Sequence, residues 1–143
     1  MEIGGEIRTR GQHPEPRPWR TGIDRPIENP TQREIQTVVQ LNDAAMATSG
    51  NYRNFYVRDG QKYVHTLNPV TGYPEVNSLL SVSVIAEDCM TADAYATAFM
   101  VMGIEKAKAV TQRNPQLEAF FIAGNAEDAF AVEMTPGFEA RVD

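Results

Sequence analysis

The hydrophobic period of this chain shifts from that of strands to that of helices between residues 86 and 91, and that shift limits its possible folds more than any other feature. Leu79 to Ala86 (LLSVSVIA) alternates apolar and small residues, the two-residue period of a strand. From Thr91, TADAYATAFMVM is rich in alanine and long apolar side chains and halts at Gly103, a pattern that predicts a helix capped by Thr91 and ended by glycine. A second, amphipathic helix is expected over Ile104 to Arg113, ended by Asn114-Pro115. The other apolar runs are short and read as strands. Glu2 to Arg10 suggests a strand with a bulge at Gly4-Gly5, Trp19 to Asp24 a short strand before Pro26 and Pro30, and Thr37 to Met46 one strand closing at TSGN, residues 48 to 51. FYVR and KYVHTL flank Asp59-Gly60, a strong hairpin signal. Leu117 to Ala123 and Ala129 to Met134 form an expected final pair. Antiparallel strands with two consecutive helices near the C-terminus give an α+β domain, mainly antiparallel, over residues 1–143.

The composition fits one domain with a core and excludes several functions. A net charge of −6 without a Lys/Arg run argues against a nucleic-acid surface. Cys89 is the sole cysteine, so neither an intrachain disulfide nor a thiolate metal cluster can form. No apolar run reaches membrane-spanning length and no signal peptide opens the chain. It begins MEIGGEIRTRG, already patterned like structure, and is therefore expected to be a piece of something longer.

Four short motifs could carry chemistry, and each also has a plain structural reading. Gly4, Gly5 and Glu6 could bring backbone N–H groups to an anion, or form a glycine bulge. Thr48, Ser49 and Gly50 could hydrogen-bond a polar ligand, or simply make a turn. In HTLNPVTGYP, residues 65 to 74, His65 ends a strand, where a rigid scaffold can present a general base to solvent. The Pro69 to Gly72 part, including Thr71, needs only turn chemistry. Asp93 and Thr97 are four apart and share a helix face, a carboxylate and a hydroxyl that suit a magnesium ion holding a phosphorylated substrate. Their structural alternatives are an acidic residue in a first helical turn and a hydroxyl bonded back to the preceding turn.

In this order, IGGEIRTRG, ATSGNY, HTLNPVTGYP and ADAYATA resemble the C-terminal part of the FAD:protein FMN transferase (ApbE) family over nearly the whole chain. The resemblance implies magnesium-dependent transfer of FMN from FAD to a Ser or Thr hydroxyl of an acceptor flavoprotein, with release of AMP. It implies that Asp93 and Thr97 hold Mg2+ and that His65 takes the acceptor's proton. Gly4, Gly5, Glu6, Thr48, Ser49, Gly50 and Thr71 would then line FAD. Val70 stands where many members carry a basic residue, and Asn68 where many carry aspartate. The family's upstream half, with a glycine-rich segment ending in Ala-Lys-Gly, has no counterpart here. The chain is thus expected to match about the last two-fifths of a family enzyme and to be inactive alone, with open strand edges that favour self-association. Relatives are often periplasmic lipoproteins on the inner membrane, an expectation for the parent enzyme and not readable from this chain. The alternatives are an FAD-binding or FAD-hydrolysing module without transfer, and an inert scaffold.

Overall fold

Phe120 and Phe121 are neighbours on one strand and are both almost completely buried, each in a different core. Adjacent strand residues face opposite sides of a sheet, so this pair marks a sheet covered on both faces. The computed structural model describes residues 1–11, 13–27, 34–51, 67–73, 78–124 and 130–143, and the backbone of strands 55–58 and 61–64. Its strands are β1 (Glu2–Ile3), β2 (Glu6–Arg8), β3 (Trp19–Asp24), β4 (Ile35–Leu41), β5 (Ala45–Gly50), β6 (Phe55–Arg58), β7 (Gln61–Val64) and β8 (Leu79–Ala86). Helices α1 (Cys89–Met102) and α2 (Ile104–Arg113) come next, then β9 (Glu118–Gly124), β10 (Phe130–Met134) and α3 (Pro136–Glu139).

Six strands make an antiparallel sheet in the order β1-β2-β5-β8-β9-β10, while β3-β4 and β6-β7 form two separate ribbons. This is the α+β architecture expected from the change of period. On one face, Ala92, Ala96 and Phe99 of α1 pack on Ala47, Val82, Val84 and Phe121. The Phe99 and Phe121 rings lie 6.2 Å apart. Two buried alanines one turn apart remove the side-chain bulk that would otherwise hold the helix off the strands. On the other face, Ile23, Val39, Leu41 and Phe138 cover Met46, Ile85 and Phe120, with Phe120 and Phe138 rings 5.3 Å apart. β8 is buried on both sides, which is why its sequence is apolar or small throughout.

Four local readings change. Gly4-Gly5 is no bulge. It is the two-residue loop of a hairpin, with Ile3 opposite Glu6 and φ of 67° and 109° at the two glycines. Positive φ at both loop residues is what a type I′ turn needs, and it folds β1 back on β2 instead of letting one strand run on. The expected strand over Thr37 to Met46 is two strands. Asn42-Asp43 breaks it, with Asp43 at φ 48° and its Oδ1 accepting the Gly11 N–H at 2.8 Å. β4 therefore pairs with β3, and β5 enters the main sheet. The helix cap is Asp88, not Thr91: the Asp88 carboxylate accepts the Thr91 N–H at 2.8 Å and the Thr91 hydroxyl at 2.9 Å. The short α3, with Pro136 in its first turn, was not anticipated. The Asp59-Gly60 turn lies outside the described residues, but β6 and β7 pair with Arg58 opposite Gln61, the register of a two-residue hairpin.

The two hydrogen bonds from Thr91 hold the Asp88 carboxyl below the ordinary aspartate value of 3.8. A depressed folded-state value contributes stability that is full above the unfolded value and is lost as the pH falls through the folded one. Asp88→Ala is therefore expected to lower Tm at neutral pH, with the difference from wild type shrinking below pH 3.8. Asp88→Asn caps the helix without titrating and should keep its Tm more evenly across that range. Thermal unfolding monitored by circular dichroism against pH checks both.

Candidate functional site

The packing of α1 on β5 brings two of the motifs into contact. β5 runs antiparallel to β8, and α1 follows β8 after Glu87 and Asp88, so the helix returns along the direction of β5. Ser49 on β5 and Thr97 on α1 meet with their hydroxyl oxygens 3.3 Å apart. Asp93 lies one turn earlier on α1 and is exposed. It opens into a cleft of about 320 Å³ whose walls include Glu6 and Arg8 of β2 and Cys89 at the start of α1. Ile3 and Met90 give the cleft an exposed apolar rim. Glu6, Ser49, Asp93 and Thr97 thus share the helical side of the sheet.

This geometry bears on the structural alternatives for α1. With Asp88 as cap, Asp93 is the fifth helical residue, past the turn where the helix dipole rewards an acid. The Thr97 hydroxyl meets Ser49 across the interface, a partner that a bond back to its own preceding turn would not supply. Both side chains present hard oxygen donors toward open space. Among the described residues no group of three or more His, Cys, Asp or Glu could hold a metal ion. The donor set fits a cation such as Mg2+, which takes one or two protein oxygens and completes its shell with water and phosphate.

Thr48 faces away from Ser49. Its hydroxyl lies 2.7 Å from that of Ser83, its cross-strand partner on β8, on the side of the sheet where Met46 and Ile85 point. Gly50 is opposite Ser81 on the same register. Gly4 has a structural task in the hairpin: besides its positive φ, a Cβ there would come within 3.0 Å of the Glu6 carboxylate. Gly5 is open, and a Cβ there would meet nothing within 4 Å.

The 67–73 turn is closed by its own bonds. Asn68 N–H donates to the Tyr73 carbonyl at 2.9 Å, Gly72 N–H to the Asn68 carbonyl at 2.8 Å, and Val70 N–H to Asn68 Oδ1 at 2.8 Å. Thr71 is exposed, and its hydroxyl accepts the Tyr73 N–H at 3.3 Å within the turn. His65 lies outside the described residues, as does Thr66.

Sequence reasoning missed Arg8 and Cys89. Arg8 donates to the Asp43 carbonyl at 3.3 Å and also to the Glu87 carbonyl, tying β2 to the loop that starts α1. Its position two residues after Glu6 was the available signal, since β2 alternates and both must face the same side. Cys89 precedes Asp93 by four residues, the spacing that puts both on one helix face.

Residues 1–121 match the family model described as "ApbE family". The chain is 41% identical over 139 residues to an FAD:protein FMN transferase of Vibrio cholerae, covering 97% of this chain and 40% of that protein. It is 38% identical over 140 residues to the one from Escherichia coli K12, covering 98% of this chain and 39% of the relative. The solved structure of the flavin transferase ApbE from Vibrio cholerae superposes with a TM-score of 0.79 at 38% identity, over 98% of this chain and 43% of that one. The chain therefore spans about two-fifths of the length of these relatives. No helix among the described residues is long and apolar enough to cross a membrane.

Proposed function

This chain belongs to the ApbE family, and from that premise we propose that it carries the flavin-phosphate side of an FMN transferase site. The reaction is transfer of FMN from FAD to a Ser or Thr hydroxyl of an acceptor flavoprotein, with AMP leaving. The observation that carries this reading is the contact between Ser49 and Thr97 at 3.3 Å, one helical turn from Asp93 and its cleft. It gathers a strand hydroxyl, a helix hydroxyl and an exposed carboxylate, groups that suit the charge neutralisation and alignment needed to move a phosphoryl group.

Asp93 and Thr97 would hold Mg2+, which when bound supplies positive charge to the pyrophosphate oxygens. Ser49 is placed to hydrogen-bond the phosphate or the adjoining ribityl chain. Glu6 borders the cleft beside Asp93. Thr48, turned to Ser83, supports the strand that presents Ser49. His65 is the base that takes the acceptor's proton as its oxygen attacks the FMN phosphorus, and AMP leaves with the electrons of the broken P–O bond. The self-bonded turn at 67–73 anchors the chain just after that histidine. The span supplies one side of the site, so transfer should need the portion that makes the relatives longer. By the same proposal the full-length protein is a lipid-anchored periplasmic enzyme of the inner membrane.

Two variants test the roles in a chimera that supplies the upstream portion of a relative. Asp93→Ala should abolish magnesium-dependent AMP release from FAD. Thr97→Ala should weaken it less, because water replaces a hydroxyl ligand more readily than a carboxylate. Titrating AMP release against Mg2+ reads this, and an unchanged magnesium dependence in Asp93→Ala rejects the metal assignment. His65→Ala should keep FAD affinity near wild type while transfer falls roughly a hundredfold or more. Calorimetry reports the first quantity and in-gel flavin fluorescence of the acceptor the second. Transfer at the wild-type rate removes His65 from the mechanism.

A further inference from the structure

Asn51 follows β5 directly, and its side-chain Oδ1 is buried with no hydrogen-bond partner among the described residues. Its backbone is well engaged: the N–H donates to the Leu80 carbonyl at 2.9 Å, which continues the β5–β8 ladder by one residue. The position of Asn51 is therefore fixed by the sheet while its side-chain acceptor is left over. Folding buries such an acceptor at a cost unless something donates to it, and native structures keep few of them without a purpose.

The surroundings indicate the donor. Asp93, the Thr97–Ser49 contact and Asn51 follow one another along the shared direction of α1 and β5. Asp93 to Thr97 is four helical residues, roughly 6 Å, and Ser49 to Asn51 is two extended residues, roughly 7 Å. A ligand with phosphate at Asp93 and Thr97 and a chain passing Ser49 would bring its next polar groups to Asn51. In the FMN half of FAD those groups are the ribityl hydroxyls and the ring imide, which can donate to a carbonyl oxygen. Phosphate oxygens carry no such donor and cannot satisfy Oδ1.

We infer that Asn51 is a flavin-positioning residue whose side-chain carbonyl accepts a hydrogen bond from the FMN half of the substrate. The inference rests on the proposal that the phosphates lie at Asp93 and Thr97, and adds to it the direction in which the flavin runs. It also gives the ATSGNY stretch a division of labour. Ser49 meets the helix, Thr48 braces β8, and Asn51 reads the ligand.

The distinguishing property is that stability and affinity move apart. An unpaired buried acceptor lowers the stability of the free protein, so Asn51→Leu and Asn51→Ala should leave Tm unchanged or raise it. The same variants should lose about fivefold or more in FMN affinity, the value of one net hydrogen bond. Affinity for magnesium pyrophosphate, which reaches Asp93 and Thr97 but not Asn51, should stay at the wild-type value. Tm is read by differential scanning fluorimetry of this chain, and affinities by titration at ligand concentrations into the millimolar range. FMN affinity is compared in whichever variant keeps the wild-type Tm. A fall in Tm in both variants means the carbonyl has a structural partner and overturns the inference. So does unchanged FMN affinity. Wild-type protein that binds neither FMN nor pyrophosphate overturns the functional reading and this inference together, whereas pyrophosphate binding without FMN binding overturns the inference alone.

Discussion

The close packing of α1 on β5 and β8 is the constraint from which the site follows. Ala92 and Ala96 are fully buried against these strands, and Phe99 locks the next turn against Phe121. Had either alanine been larger, the helix would have to move outward, at a cost of about 1–3 kcal/mol for overpacking. An outward shift of an ångström would also part Ser49 from Thr97, whose 3.3 Å separation is already near the limit of a hydrogen bond. The alanines that the sequence interleaves with Asp93 and Thr97 therefore serve packing first. Their effect on the site is indirect: they set the distance between its two walls.

A second tie fixes where the helix begins. Arg8 on β2 donates to carbonyls at Asp43 and Glu87, on either side of the β5–β8 pair, and Asp88 caps the first turn through Thr91. Thr9 reinforces the same edge, its buried hydroxyl donating to the Ala44 carbonyl at 3.0 Å. The β1-β2 hairpin is thus bonded to the loop from which α1 starts, and Glu6 comes to border the cleft beside Asp93. The likeness to longer flavin transferases extends over this whole arrangement, since 98% of the chain superposes on the Vibrio cholerae structure.

Much of this was legible in the sequence, for local reasons. The alternation of 79–86 and the alanine-rich run to Gly103 each carry their own period, and the Asp-Gly dipeptide in the sequence predicts the pairing that β6 and β7 make. What escaped depended on distant partners. Asn42-Asp43 breaks a strand because Asp43 adopts a left-handed conformation and bonds Gly11, more than thirty residues away in sequence. Gly4-Gly5 supports either a bulge or a turn, and only the pairing of Glu2 with Ile7 chooses the turn. Thr48, Ser49 and Gly50 read as a turn, yet they end strand β5, where alternation sends the Ser49 hydroxyl to the helix and the Thr48 hydroxyl to Ser83 on the other face. Asp88 was overlooked as the cap because Thr91, three residues on, has the same chemistry and proves to be its partner. The motif order pointed to the family, while the convergence of Glu6, Ser49, Asp93 and Thr97 on one side needed the sheet register.

The central claim is that Ser49 and Thr97, distant in sequence, serve one ligand. A double-mutant cycle on FAD affinity in the presence of Mg2+ tests it most directly, with Ser49→Ala, Thr97→Ala and the double variant measured beside wild type. Groups that share a partner are coupled by about 0.5–3 kcal/mol. The account predicts such coupling, with the double variant losing little more affinity than the weaker single variant. Losses that simply add, or single variants that bind as wild type does, would contradict it.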